Sequence, residues 1–88
     1  MKDKMMAKIN DIEGQIERKK KYIGFLINSI ADRAESARTC LDNGEINWTY
    51  NYSRTIRDLA EEVEEEKAKI QEFRNQISLI KALMKEGV

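Results

Sequence analysis

The chain has 88 residues and no proline, and its 16 basic and 16 acidic side chains leave no net charge. This length allows one domain at most, and a composition of 41% hydrophobic and 36% charged residues is typical of long helices, which excludes a β-sandwich or barrel. A neutral chain has no overall attraction to nucleic acid or to an anionic membrane. We therefore predict one all-α domain that has neither of these as a partner.

The N-terminal segment mixes charges into what would have to be the apolar part of a signal peptide. No apolar run approaches the roughly 20 residues that cross a bilayer. The single cysteine, Cys40, cannot form an internal disulfide, which agrees with a reducing compartment. We therefore expect a cytoplasmic protein in which Cys40, at the apolar end of a helix, is a buried thiol. The many lysine, isoleucine and asparagine residues are typical of AT-rich bacterial or phage genomes.

Apolar residues recur in steps of three and four through the first half of the chain, which is the pattern of a coiled-coil-like helix. The pattern predicts a first helix over about residues 4–41. Its apolar members are Ile9, Ile12, Ile16, Ile23, Ile27, Ile30, Ala34, Ala37 and Leu41. One step is missing at Lys19 and Lys20, and we interpret this gap as a stutter that shifts the phase of the helix.

The segment LDNGEIN predicts a tip loop over about residues 42–47, because Asn43 and Gly44 tolerate a left-handed backbone. A second helix is then predicted over about residues 48–86, with Asn47 as its N-cap. The alternative is a capping box at residues 55–58 and a start near Ile56. The seam of this helix has a polar interruption at Glu66. Its apolar members are Tyr52, Ile56, Leu59, Val63, Ile70, Phe73, Ile77, Ile80 and Met84.

A short connection between two long helices makes them antiparallel neighbours, in which the numbers of facing residues sum to about 90. This register predicts that Ile16 lies near Phe73 and that Ile27 lies near Val63. A hairpin of two helices has no enclosed interior, so much of its apolar surface needs a partner. We therefore expect a homo-oligomer, with a dimer that forms a four-helix bundle favoured over higher helical oligomers.

Two charge runs, ERKKK at residues 17–21 and EEVEEE at residues 61–66, interrupt the apolar pattern. In the predicted register neither run is neutralised inside one hairpin, whereas two antiparallel hairpins would bring the basic run of one against the acidic run of the other. The predicted contacts between protomers are Arg18, Lys19, Lys20, Lys21, Glu61, Glu62, Glu65 and Glu66. Alternatively, both runs are solvated faces that contribute little. Without interleaved aromatic residues, the basic run does not predict a nucleic-acid site.

The sequence offers little for catalysis, because it contains no histidine to act as a general base or metal ligand. Glu61, Glu62 and Glu65 have the spacing EExxE, which resembles the Mg²⁺ motif of the all-helical MazG-like nucleotide pyrophosphohydrolases. That family's second motif, ExxD on a following helix, is matched only by residues 72–75, which lie on the same helix and end in Asn75. We therefore predict no enzyme activity, no metal site and no cofactor.

Aromatic and cationic residues cluster where the second helix begins. They are Trp48, Tyr50, Tyr52, Arg54 and Arg57. With a start at Trp48, the i, i+4 spacing places Trp48 and Tyr52 on one face and Tyr50 elsewhere. These residues suit a hydrophobic cap for the bundle, a contact with another protein, or a site where a nucleotide-like anion stacks on aromatic rings and meets guanidinium groups.

We therefore predict a small protein that self-associates and binds or inhibits a larger protein through this aromatic tip and one charged flank. The first alternative is a protein that binds or sequesters a nucleotide-like anion. The second is a purely structural oligomerisation module.

Overall fold

The computed structural model describes residues 2–86, which form two α-helices, α1 (Lys2–Asp42) and α2 (Ile46–Glu86). The helices pack against each other along a hairpin that measures 67 × 14 × 11 Å. This arrangement confirms the predicted all-α, antiparallel hairpin. Within the described residues, neither helix contains a stretch apolar enough to span a membrane.

The buried face of α1 follows an unbroken ladder of three- and four-residue steps. Its members, all buried or half-buried, are Ile9, Ile12, Ile16, Lys19, Ile23, Leu26, Ile30, Arg33, Ala37 and Cys40. The predicted stutter is therefore wrong, because Lys19 itself fills the missing step. Ile27, Ala34 and Leu41, which the sequence pattern predicts in the seam, lie on the neighbouring face and are exposed. Each of them follows a true seam residue by one position.

The buried face of α2 is the one that the sequence predicts. Every predicted seam residue from Tyr52 to Met84 is buried or half-buried. In the half of the hairpin away from the tip, Ile9, Ile12 and Ile16 of α1 form one apolar cluster with Ile70 and Ile77 of α2. This cluster holds the N-terminal half of α1 against the C-terminal half of α2.

A polar layer interrupts this core where the two charge runs meet. The Lys19 Nζ donates to Glu66 Oε2 at 3.1 Å, and Lys69 lies 3.6 Å from the same oxygen. Beside this layer the Tyr22 hydroxyl donates to a carboxylate oxygen of Glu62. Glu66 is only 9% exposed, and a buried charge is tolerated only where it is paired. Our prediction that neither run is neutralised inside the hairpin is therefore wrong for Lys19 and Glu66.

The same ion pair shows that the predicted register is displaced by about five residues, or roughly 1.4 helical turns. A register in which facing numbers sum to about 90 would place Lys19 beside Gln71, five positions beyond its actual partner Glu66. Ile27, which that register places against Val63, is 50% exposed on the face next to the buried seam, whereas Val63 is buried.

Replacement of Lys19 and Glu66, singly and together, distinguishes the stability that their ion pair provides from the cost of burying an unpaired charge. We expect Lys19→Leu to lower the free energy of unfolding, because it leaves the buried Glu66 with only the more distant Lys69. Glu66→Leu is expected to lower it less, because the half-buried Lys19 can extend its amine into water. The double variant is expected to be at least as stable as the wild type. Urea unfolding of the four proteins tests this, and losses that simply add in the double variant would contradict it.

The ion pair also predicts a pH dependence. The hydrogen bond from Lys19 holds the pKa of Glu66 below its usual range, although burial acts in the opposite direction. Such a group stabilises the fold above its unfolded pKa, and this contribution is lost as pH falls through the lower folded pKa. We expect the free energy of unfolding to decline below about pH 4, and to decline less in Glu66→Gln.

The measurement is urea unfolding at a series of pH values, with Glu64→Gln as the matched control. Glu64 is exposed, and among residues 2–86 it pairs only with Lys67 one turn away, so its replacement is expected to keep the wild-type slope. A Glu66→Gln protein that loses stability in acid as steeply as the wild type would contradict the assignment.

Candidate functional site

The tip turn is held by a glycine and two backbone hydrogen bonds. Gly44 has a positive φ of 77°, which ordinary residues adopt at a cost. The Gly44 amide donates to the Leu41 carbonyl at 3.0 Å, and the Glu45 amide donates to the Cys40 carbonyl at 2.8 Å. This pair of bonds is the Schellman motif, which satisfies the last carbonyls of α1.

The second helix begins directly after this turn. The Glu45 carbonyl accepts the first helical bond, from the Thr49 amide at 3.1 Å, so α2 starts at Ile46 and not at the predicted Trp48. Neither predicted cap is used, because Asn47 and Thr55 both lie inside the helix. The Thr49 hydroxyl lies 3.0 Å from the Glu45 carbonyl and 3.5 Å from the Ala37 carbonyl of α1. The longer of these two contacts places the start of α2 beside the end of α1.

One aromatic pair at the tip lies on the side of α2 that borders α1. The ring centroids of Trp48 and Tyr52 are 6.3 Å apart with an angle of 37° between the planes. Tyr52 is half-buried in the seam, but Trp48 is 58% exposed. A tryptophan that closed the end of the bundle would be covered, so within a single hairpin Trp48 does not act as a hydrophobic cap.

A second group lies on the outer side of α2. The guanidinium carbon of Arg54 lies 6.0 Å from the centroid of the Tyr50 ring, at the distance of a cation–π contact. Arg57 follows Arg54 by three residues and therefore shares this side of the helix. Tyr50 is 63% exposed.

The five tip residues thus form two groups and not one site. Six residues separate Trp48 from Arg54, which places them about 120° apart around the helix, and Tyr52 and Arg57 are separated by about 140°. The structure brings Trp48 to Tyr52 and Tyr50 to Arg54. It does not bring either guanidinium group to the Trp48 ring, as stacking and phosphate binding by one nucleotide would require.

An open groove lies beside the Trp48–Tyr52 pair. The side chains that line it are Asp32, Glu35, Ser36, Thr39, Cys40 and Tyr52. Two carboxylates in this groove disfavour an anion on this side of the tip. Sequence reasoning did not find Asp32 and Glu35 because the groove depends on the true phase of α1, in which they lie beside the seam.

Cys40 is half-buried at the edge of this groove, and not fully buried as its place at the apolar end of α1 predicts. Partial burial raises the pKa of the Cys40 thiol, and the nearby Glu45 carboxylate raises it further. The thiolate is the reactive form of cysteine, so this environment lowers the nucleophilicity of Cys40 at neutral pH.

The residues predicted to join two protomers have different surroundings. Lys19 and Glu66 form the polar layer, Lys20 pairs with Glu17 at 3.4 Å, and Glu62 accepts the Tyr22 hydroxyl. The remaining four are exposed on the flanks of the hairpin. They are Arg18, Lys21, Glu61 and Glu65.

Comparison with known proteins finds no match to any family model, curated protein or solved structure. Within residues 2–86, no three cysteine, aspartate or glutamate side chains converge where a metal ion could bind. A function for this chain is therefore inferred from its surface, and the most distinctive part of that surface is the tip.

The tip turn yields a prediction with a matched control. Gly44→Ala is expected to lower the free energy of unfolding by about 1 kcal/mol, because alanine at a positive φ is strained. Nothing lies within 4 Å of the added Cβ, so the effect is on the backbone alone. Gly14→Ala is expected to raise the same quantity by about 0.5 to 1 kcal/mol, because Gly14 lies inside α1. Urea unfolding measures both, and a Gly44→Ala protein as stable as the wild type would contradict the role of the turn.

Proposed function

We propose that the hairpin is a non-enzymatic binding module that engages a larger protein through its tip, with Trp48 and Tyr50 as the anchoring side chains. The observation that supports this proposal is their exposure, 58% for Trp48 and 63% for Tyr50, at the end of a narrow hairpin. Tryptophan, tyrosine and arginine are the residues most enriched among those that carry the binding energy of protein interfaces. All three occur in the first turns of α2.

The rigid presentation of these side chains also supports the proposal. The Schellman turn and the Thr49 hydroxyl hold the start of α2 against α1, so little backbone freedom is lost when a partner binds. Preorganisation of this kind raises affinity because it lowers the entropic cost of association. Trp48 and Tyr50 lie on different sides of α2, so the partner that fits best is one with a cleft that receives the tip and contacts both sides.

The charged flanks complete the proposed surface. Arg18 and Lys21 are exposed on α1, and Glu61 and Glu65 are exposed on α2. Charges at the rim of an interface mainly increase the rate and selectivity of association. We therefore assign anchoring to the tip and steering to one flank, which suits an adaptor or an inhibitor that occupies a surface on its partner.

The two alternatives from the sequence have less support. A nucleotide-like anion is disfavoured because Trp48 and the guanidinium groups lie on different sides of α2, and because Asp32 and Glu35 line the groove beside Tyr52. A purely structural role does not account for large aromatic side chains that are exposed at the tip.

The test is affinity capture from a lysate of the source organism, followed by binding measurements with the purified partner. Trp48→Ala and Tyr50→Ala are each expected to weaken binding at least about tenfold, which corresponds to about 1.4 kcal/mol. Leu79→Ala is the matched control, because Leu79 is similarly exposed but lies near the other end of α2. Partner binding that is unchanged in both tip variants, or reduced equally in Leu79→Ala, would overturn the proposal.

Thermal unfolding in the presence of ATP distinguishes the first alternative, a nucleotide-like ligand, from the proposed protein partner. A ligand that binds only the folded chain raises the unfolding temperature with its concentration. We expect no shift. A shift that disappears in Trp48→Ala or Arg54→Ala would favour the nucleotide-like ligand over the protein partner.

A further inference from the structure

The half of α1 nearest the tip carries a second apolar seam, on the face next to the buried one. It repeats in the same steps of three and four, and every member is exposed. The members are Gly24, Ile27, Ala31, Ala34, Arg38 and Leu41. Continued toward the N-terminus, the same spacing meets Lys20, Glu17, Glu13 and Asn10, so the apolar part is confined to the second half of α1. Helix α1 is therefore apolar on two faces there, and α2 covers only one.

The total exposed area of the chain indicates whether the hairpin has surface to spare for an interface. The chain exposes 6772 Å², whereas a compact protein of 10.3 kDa exposes about 5,400 Å². The excess of roughly 1,400 Å² is more than the ~800 Å² that each partner loses in a stable interface of ordinary size. The single hairpin thus has enough surplus surface for one further interface, and the second seam is an exposed strip of apolar and small side chains with one charged member, Arg38.

We infer that this seam is covered by the same seam of a second copy of the chain, with the two α1 helices antiparallel. A two-fold axis between Ala31 and Ala34 makes the face complementary to itself. It places Gly24 opposite Leu41, Ala31 opposite Ala34 and Ile27 opposite Arg38 of the second copy. The apolar stem of Arg38 covers Ile27, and its guanidinium group extends into water at the edge of the interface. Large side chains then meet small ones at both ends, and alanines at the centre let the helices approach closely.

Charge at the edge of the seam supports the antiparallel orientation. Lys21 and Asp42 are exposed at opposite ends of this seam, and neither forms an ion pair within the described hairpin. The same two-fold axis brings Lys21 of each chain within about two residues, or ~3 Å along the helix, of Asp42 in the other. A parallel pair would place Lys21 beside Lys21. The zero net charge of the chain also adds no general repulsion between copies.

This mode of pairing differs from the one that the sequence predicts. The predicted dimer joins the basic and acidic runs of two chains, but Lys19 and Glu66 are already paired with each other inside each hairpin. The second seam depends on neither of them. It is also separate from the proposed binding by Trp48, which lies on α2.

Sedimentation equilibrium of the full chain tests the inference. The wild type is expected to reach twice its 10.3 kDa mass as concentration rises. Ala34→Glu and Ile27→Lys are each expected to raise the dissociation constant at least about 100-fold, because the first buries a carboxylate in the dimer and the second places a cation against Arg38 of the other copy. Phe25→Glu is the matched control and is expected to keep the dimer, because Phe25 is also exposed but lies on another face of α1, stacked on Tyr22.

Circular dichroism shows whether each variant retains its helices, and all three positions are exposed, so retention is expected. A wild type that stays monomeric at every concentration would overturn the inference. A dimer that survives both Ala34→Glu and Ile27→Lys, or one that Phe25→Glu disrupts as strongly as these two do, would also overturn it.

Disulfide trapping tests the orientation. In a Cys40→Ser background, Gly24→Cys and Leu41→Cys chains are mixed and oxidised. The Cβ position of Gly24 has no atom within 4 Å in the hairpin, so the new thiol fits. Mixed dimers linked between positions 24 and 41 are expected, whereas predominant links between two copies of position 24 would overturn the antiparallel pairing. Trp48→Ala is expected to dimerise normally, so a failure of tip binding and a failure of dimerisation are distinguishable.

Discussion

The ion pair between Lys19 and Glu66 is the constraint on which the arrangement of the two helices depends. An apolar seam of isoleucine and leucine residues tolerates a slide of one heptad, because each apolar side chain would meet another. A buried carboxylate does not tolerate that slide, because it would lose its partner. The polar layer therefore sets which turn of α1 faces which turn of α2, as polar residues in helical seams are known to do. The tip turn agrees with this register, since the Gly44 turn returns the chain with Thr49 beside Ala37.

The register in turn decides what the tip presents. With α2 starting at Ile46, Tyr52 enters the seam and Trp48 lies above it, beside the groove lined by Asp32 and Glu35. Tyr50 and Arg54 lie on the outer side of the same helix. One side of the tip thus combines aromatic rings with carboxylates, and the other combines an aromatic ring with a guanidinium group. This arrangement suits a protein surface that carries both apolar and charged groups better than it suits a single small anion.

The hairpin and the whole seam of α2 are predictable from sequence, because their apolar spacing is regular and has one polar interruption. The second half of α1 is not, because Ile27, Ala34 and Leu41 repeat as regularly as the true seam residues beside them. A pattern based on hydrophobicity does not predict Lys19 as a core residue. Lys19 occupies a seam position because its amine pairs there with Glu66 of the other helix. The separation of Tyr50 and Arg54 from Trp48 follows from helical spacing alone. The groove at Asp32 and Glu35 does not, because it requires the correct phase of α1.

The second half of α1 has two apolar faces, and α1 and α2 therefore have different roles. Helix α1 is apolar on two faces near the tip, so one face packs on α2 and the other is available for a second copy. Helix α2 carries the exposed aromatic side chains. In the antiparallel dimer each tip lies opposite residue 21 of the other chain, which separates the two tips by about 35 Å and points them in opposite directions. Such a dimer would present two binding tips on one rigid body, and a partner with two matching sites would be held with higher apparent affinity than one tip provides.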